Sequence, residues 1–449
     1  MRTKGIYIKE VKATVLLLLS LLCLPMSAQS AFDLISRNRN FSASNFCVYP
    51  DSMLPSLTPA PAGKKPFYIS HYGRHGSRYL SDRRAYETPF RTLQKADSLN
   101  KLTAVGKDVL DELRHIISDA KGRWGDLSGI GKQQHRDIAR RMVERFPEVF
   151  EGTAFVDAKS TVVTRCVLSM GTAIQQLTVM NPRLRVTMNA SANDMWYLNH
   201  QDRQLRSTMM PKEAQRVFDE FSEPLKHNPR LMELLFNDSA YASKYGDEVW
   251  LNYYLLKTGL IQQNTHMNVK SVMADLFTYE DYYRFWKEEN AWWYINYGFS
   301  PLSGGKQPYS QCYLLRQIIH EADSCLRLKS NGATLRFGHE TVILPLVCLL
   351  GLSPATGGAY PTKCGFDLRT DDLGVLEPAG WWACMVFPMA ANIQFVFYRE
   401  NPFDSDVVFK VLLNEREASL PIATDIAPYY HWRDFRDHYL QMLDAYDAQ

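Results

Sequence analysis

The stretch SHYGRHGSRYL, Ser70 to Leu80, sets two arginines and a histidine among glycines directly after the apolar run Phe67-Tyr68-Ile69. Guanidinium groups that close repel one another unless an anion sits between them. Arg74 and Arg78 present planar donor forks suited to phosphate oxygens, and they stay charged at any working pH. Cationic neighbours favour the neutral form of His75, and neutral imidazole is a nucleophile. Gly73 and Gly76 allow sharp turns and close backbone approach. The apolar run is continuous rather than alternating, as in a strand covered on both faces of an α/β sheet. The position just past the C-terminal end of such a strand is where open α/β sheets bind ligands. Taken alone, the same residues also describe a solvated basic turn. No GxxxxGK[ST] phosphate loop occurs, and Gly73 between His71 and His75 argues against a helical metal pair.

Outward from this stretch, helical texture runs from about Lys101 to Asp119 and from Lys132 to Phe146, where Ile138, Met142, Val143 and Phe146 form an apolar stripe. Ala154-Phe155-Val156 reads as a second short strand, and Ser160 and Thr161 offer caps for a helix reaching Leu177. From 188 to 329 charged and aromatic residues mix at helical periods with little strand signal. The aromatic run Asp281 to Phe299 suits helix packing better than ligand stacking. Strand texture returns at Ala333 to Phe337, followed by a helix from Thr341 to Leu350. Ile393 to Tyr398 and Val407 to Leu413 bracket a turn at 401–404, which suggests a hairpin at the sheet edge. The expected architecture is an α/β core, 29–187 with 330–449, interrupted by an α-helical insertion at 188–329. Residues 29 to about 62 read as a leader wrapped on the surface, with a proline-rich end.

The chain has 449 residues, of which 46% are apolar and 22% charged, which excludes disorder. A net charge of +3 is small for this length and argues against a nucleic-acid partner. Arg2, Lys4, Lys9 and Lys12 precede the apolar run Ala13 to Pro25 and the small residues Ser27 and Ala28, the pattern of a signal peptide over 1–28. No later apolar stretch is long enough for a membrane span. The expected protein is therefore exported, to the periplasm or the exterior. Export permits disulfides, and the seven cysteines after residue 28 leave room for about two bridges with at least one free thiol. No CxxC or HExxH occurs, so no structural metal site is read.

RHGxR is the signature that makes Arg74 to Arg78 resemble the histidine phosphatase superfamily, in its acid phosphatase and phytase branch. Three further segments follow in family order. DLSGIGKQQH, Asp126 to His135, resembles LTxxGxxQ with Ser128 for threonine. AKSTVVTRCVLSM, Ala158 to Met170, resembles RSTxxxRTxxSA, with Lys159 for the first arginine and Arg165 keeping the second. RFGHETVILPL, Arg336 to Leu346, resembles the late GHDT segment. The resemblance implies a mixed-sheet α/β core of the phosphoglycerate mutase kind with a large helical insertion, in line with the division above.

Carried over residue by residue, the family implies that His75 attacks phosphorus. Arg74, Arg78, Arg165 and His339 would surround the phosphoryl oxygens, with Lys159 as a further phosphate contact. Glu340 would protonate the leaving oxygen and then activate water. Guanidinium groups supply the positive charge, so neither metal nor other cofactor is called for. Glu340 departs from the Asp of the common branch and from the His-Ala-Glu of the inositol polyphosphate phosphatases; an acid there also suits the first turn of a helix. VVFKVLLNEREASLP, Val407 to Pro421, resembles the late strand of those phosphatases. The substrate class implied is inositol polyphosphate, including phytate. A broad acid phosphatase for sugar phosphates or nucleotides and a non-catalytic phosphate-binding protein are the alternatives. His135 and Arg123 lie in a matched segment, and Arg203, Arg206 and Lys212 offer charge in the insertion.

Overall fold

A computed structural model describes residues 30–50, 54–265, 271–354 and 365–448. The expected signal peptide, 1–28, and Cys364 lie outside them. Nine strands make one mixed sheet among these residues: β1 Lys65–Arg74, β2 Phe155–Ser160, β3 Arg185–Asn189, β4 Gly332–Gly338, β5 Ser353–Pro354, β6 Asn392–Arg399, β7 Val408–Leu413, β8 Arg416–Ser419 and β9 Tyr430–His431. Their order is β3-β2-β4-β1-β6-β7-β8-β5, with β9 beside β7. The β3-β2-β4-β1 half is parallel, and β6 onward is antiparallel. The expected hairpin is β6–β7, but it is not at the edge: β6 pairs directly with the central β1.

Period-two alternation explains why the central strands are apolar on both sides. In β6, Ile393, Phe395 and Phe397 face one core while Val396 and Tyr398 face another. The helices Gly129–Arg145 and Thr164–Met180 cover the second face, bringing Met142, Met170, Ile174 and Leu177 onto Val156, Leu335 and Phe337. The sharp β7–β8 turn places Asn414 and Glu415 at φ 51° and 62°. Asn414 repays that strain by donating to the carbonyls of Met385 and Val386, both at 3.1 Å.

Between β3 and β4 the described elements are helices, and the aromatic run forms one of them, Tyr279–Tyr297, with Tyr282, Phe285, Trp286, Trp293 and Tyr294 buried. Its helical core also takes in Leu93, Leu110 and Leu113 from the helices Arg84–Ser98 and Ala104–Ala120. Ser160 and Thr161 do not cap the following helix, which begins at Thr164 after Val163. Ser160 instead ends β2 and donates to the Thr161 carbonyl at 2.8 Å. The leader is not a surface wrap throughout. Ala31–Arg37 forms a helix closed by a Ser30–Asp33 capping box, and Ser42 to Cys47 are buried. The disulfide expectation is also corrected: Cys47, Cys166, Cys312, Cys325, Cys348 and Cys384 are all free thiols, five of them buried.

Beneath the parallel half, His71 and His135 are buried neutral, each with a pKa lowered to about 3; burial is the main cause, joined for His71 by the His135 and Arg336 charges. An unfolded histidine binds its proton near pH 6.5 and these folded ones do not, so stability falls as pH drops below 6.5 and the loss stops growing near 3. Each contributes up to about 1.4 kcal/mol per pH unit. Urea midpoints measured from pH 6.5 to 4 are expected to decline, and His135→Gln is expected to flatten that decline.

Candidate active site

β1 and β4 run parallel with Arg74 opposite Gly338, so the residues leaving both strands emerge side by side. His75 follows Arg74, and its amide donates to the Gly338 carbonyl at 2.9 Å. His339 follows Gly338, its ring centroid 5.7 Å from that of His75. Glu340 then opens the helix Glu340–Leu350. A tight parallel pairing thus brings together residues 265 positions apart.

The turn after β1 is held mainly by main-chain contacts. Arg74 donates its amide to Ala391 at 2.7 Å, and the Ala390 amide donates to the His75 carbonyl at 3.0 Å. Ala390 is held at φ 61° to do so, a conformation costly for a residue with a Cβ. The Gly76 amide donates to Ser169 Oγ at 3.1 Å, and the Ser77 amide donates to Gln134 Oε1 at 2.8 Å. Ser128 caps the helix Gly129–Arg145 through the Gly131 amide and donates its own amide to the Ser77 carbonyl at 2.8 Å. Gly76 and Gly131 lie backbone against backbone, and a Cβ on either would collide with the other segment. The glycine, glutamine and serine of the matched segments are therefore supports for one turn.

The cluster that results is buried. Arg74 and His75 are fully inaccessible, and Arg78, His339 and Glu340 nearly so. Glu340 Oε2 lies 3.1 Å from Arg74 Nε and 3.5 Å from His75 Nε2, with Oε1 at 4.0 Å from Arg78 Nη2. Arg74 Nη1 donates to the Phe387 carbonyl at 2.5 Å, and Arg78 Nη1 to the Tyr79 carbonyl at 2.9 Å. Arg165 joins them through its charge, which acts on Arg74, Arg78 and His339. Arg74 Nη2, Arg78 Nε and Arg165 Nε are buried donors without a hydrogen-bond acceptor among the described residues, and His75 Nε2 is likewise buried without a hydrogen-bond partner there. Such groups call for a specific explanation.

Burial, partly opposed by Glu340 and reinforced by Arg74 and Arg78, holds His75 well below the ordinary imidazole range. Its Nδ1 lies 2.9 Å from the Gly76 carbonyl, which can only accept, so the ring proton sits on Nδ1 and Nε2 is bare. Burial alone would raise Glu340, but Arg74, the contact with His75 and Arg78 together hold it far below the usual carboxylate range. His339 is lowered to about 4, by burial first and then by the three arginines against Glu340, and Thr161 Oγ1 lies 3.3 Å from its Nε2. Ligand atoms of His75, His339 and Glu340 fall within 4.8 Å of one another, a span a cation could bridge. Three guanidinium groups crowd the same space and repel one.

Lys159 is placed elsewhere. Its ammonium pairs with Glu321 at 3.0 Å and Asp157 at 3.4 Å, and Glu321 also holds the buried Arg336. Arg123 pairs with Asp119 on the surface, and His135 is buried against Phe337. Arg203, Arg206 and Lys212 are exposed. Two residues that sequence reasoning did not single out join the cluster. Asn45 Nδ2 donates to Glu340 Oε1 at 3.1 Å, and the Phe46 ring lies under Arg78, 5.4 Å from its guanidinium carbon. They come from Arg39–Phe46, a 3-10 segment broken at Ser44, whose sequence carries no periodic signal.

A match to the histidine phosphatase superfamily (branch 2) spans residues 73–414. Human multiple inositol polyphosphate phosphatase 1 is 23% identical over 351 residues, covering 72% of this chain and 67% of that protein. Among solved structures, the Bifidobacterium longum multiple inositol polyphosphate phosphatase in complex with inositol hexasulfate superposes with a TM-score of 0.69 at 18% identity, covering 90% of this chain and 97% of that one. The phytase from D. castellii gives 0.65 at 13% identity, covering 90% and 85%. At these identities the superpositions show a shared fold.

Gly131→Ala is expected to push the Ser77 carbonyl and the arginine turn out of place. Thermal melting should show a destabilisation of about 1–3 kcal/mol, and phosphomonoester turnover should fall with it.

Proposed function

The chain belongs to the histidine phosphatase superfamily (branch 2) and is a histidine-type phosphatase; on that premise we propose that it hydrolyses inositol polyphosphates, phytate among them, through a phosphohistidine on His75. The observation that carries the mechanism is a bare His75 Nε2 faced by Glu340 and ringed by arginine donors without acceptors. A phosphate monoester placed there accepts from Arg74, Arg78, Arg165 and His339, which spread the charge that develops on its oxygens. His75 Nε2 bonds to phosphorus in line as the bond to the leaving oxygen breaks. That oxygen takes its proton from Glu340. In the second half Glu340 accepts a proton from water, the water oxygen bonds to phosphorus, and the P–N bond breaks to release inorganic phosphate. Arg74 and Arg78 position rather than react, and Lys159, tied to Glu321, is not given a role.

The supply of the proton follows from the charges. Without substrate Glu340 is ionised, because the arginines hold its pKa down. A phosphate dianion would claim those arginines and raise Glu340, but the proton itself must arrive with the ester. Phosphate loses its second proton near pH 6. kcat/KM is therefore expected to fall about tenfold per pH unit above that point, a limb to be read from the pH–rate profile.

The inositol assignment is supported by the human and Bifidobacterium relatives, which are named for that substrate. Export is proposed on the N-terminal pattern, and no helix among the described residues is long and apolar enough to cross a membrane. The division into an α/β core, 29–187 with 330–449, and an insertion, 188–329, is proposed alongside.

Purified protein is expected to release phosphate from phytate in the presence of EDTA, and His75→Ala to abolish release. Acid quenching should trap phosphate on parent protein but not on the variant. Glu340→Gln is expected to lower kcat by about 10²–10⁴. Turnover of simple esters with none of any inositol phosphate would overturn the substrate class, and binding without turnover would overturn the enzyme.

A further inference from the structure

A cavity of about 550 Å³ opens beside the catalytic cluster. Asn45 and Phe46 belong to both, since Asn45 holds Glu340 and the Phe46 ring faces Arg78. Three helices wall it: Lys212–Lys226, Glu248–Ile261 and Tyr279–Tyr297. Its aromatic surface comes from Trp250, Tyr253, Tyr254, Phe285, Trp292 and Trp293. The volume suits a small ring compound.

The charges on its wall do not suit a polyanion. Among the described lining residues there are two ammonium groups, Lys226 and Lys257, and three carboxylates, Asp82, Glu288 and Glu289. Lys257 lies toward the cluster. Its Nζ is 5.6 Å from the centre of the Phe46 ring that also faces Arg78, and it donates to Tyr253 Oη at 3.0 Å. No carboxylate is within ion-pair distance of it among the described residues, so its charge is available to a ligand. Tyr253 in turn donates to Glu289 Oε1 at 3.2 Å, a short relay from the cation to the acidic pair. Adjacent Glu288 is raised to about 7, by burial first and by Glu289 next, with Lys226 opposing. The two carboxyls therefore share a poorly solvated wall.

Resting on the inositol phosphate reading above, we propose that this cavity is a filter for partly dephosphorylated rings: Lys257 takes one further phosphate, and the Glu288–Glu289 pair accepts ring hydroxyls and repels additional phosphates. Carboxylates accept hydrogen bonds from hydroxyl groups and have none to offer a phosphate oxygen when ionised. The wall thus combines an attraction for the ring with free hydroxyls and a repulsion of the fully substituted one, the two elements from which specificity is built. Aromatic faces stack on the C–H side of the cyclitol without regard to its charge. Lower inositol phosphates, such as a trisphosphate, are the preferred substrates, and the hexakisphosphate is turned over less efficiently.

The experiment compares, at pH 8, where Glu288 is ionised, kcat/KM for myo-inositol hexakisphosphate and a myo-inositol trisphosphate in the parent, in Glu288→Gln/Glu289→Gln and in Lys257→Met. The parent is expected to favour the trisphosphate. The double amide variant should shift the ratio toward the hexakisphosphate by about fivefold, the factor that ~1 kcal/mol of like-charge repulsion produces. It should also be inhibited about fivefold more tightly by inositol hexasulfate. Lys257→Met should raise KM for the trisphosphate. A parent that prefers the hexakisphosphate overturns the filter without any variant being needed. An unmoved ratio in a double variant that melts like the parent overturns it equally. Either result leaves the inositol reading standing, whereas turnover of p-nitrophenyl phosphate by the parent with none of either inositol phosphate overturns both.

Discussion

Two buried guanidinium groups set against one carboxylate, with the charge of Arg165 added to theirs, are the constraint on which the remaining structure depends. Glu340 neutralises part of the charge of Arg74 and Arg78 when no substrate is present, at 3.1 and 4.0 Å. Removing one member of a buried pair of this kind commonly costs about 3–5 kcal/mol. The carboxylate therefore contributes to the stability of the cluster. An entering phosphate replaces one anion by another, so the arginines are never asked to stand uncompensated. That exchange also explains why the residue after His339 can be a glutamate: it must reach back to Arg74 as well as forward to a leaving group.

The turn that carries His75 was legible because its supports are local and chemically distinctive. Two arginines about a histidine after an apolar run could be a solvated basic turn, but the segments around Gly131, Arg165 and His339 follow in family order and give them a shared purpose. The structure adds the reason for each motif position. Gly131 admits the Gly76 backbone, Gln134 receives the Ser77 amide, and Ser169 receives that of Gly76. What escaped the sequence is what depends on distant partners. Lys159 looked like a phosphate ligand until Glu321, on a helix far along the chain, proved to hold it. Asn45 and Phe46 sit in RNFSASNF, which has neither helical nor strand period and turns sharply at Ser44 with φ 52°. Lys257 is the lone cation of a mostly apolar helix, where composition suggests only burial.

The aromatic helix Tyr279–Tyr297 has two faces with different duties. Tyr282, Trp286 and Tyr294 pack into the core, as their density suggests, while Phe285, Trp292 and Trp293 also line the cavity. Trp293 stands with its ring 4.7 Å from Phe387, whose carbonyl takes Arg74 Nη1. Trp293 and Phe387 thus link the helix Tyr279–Tyr297 to the arginine turn.

The sheet order has a consequence for how the protein comes into being. β1 and β2 are not neighbours, because β4 lies between them and is the last of the three to be made. A growing chain that has emerged through Ser160 holds two strands, β1 and β2, that cannot yet meet their shared partner. Synthesis at about 5–20 residues per second delivers Gly332 only on the order of ten seconds or more afterward. Nascent chains of intermediate length therefore expose strand edges with no native mate. The cluster around Arg74 is completed late, in a single event, when one inserted strand brings His339 beside His75.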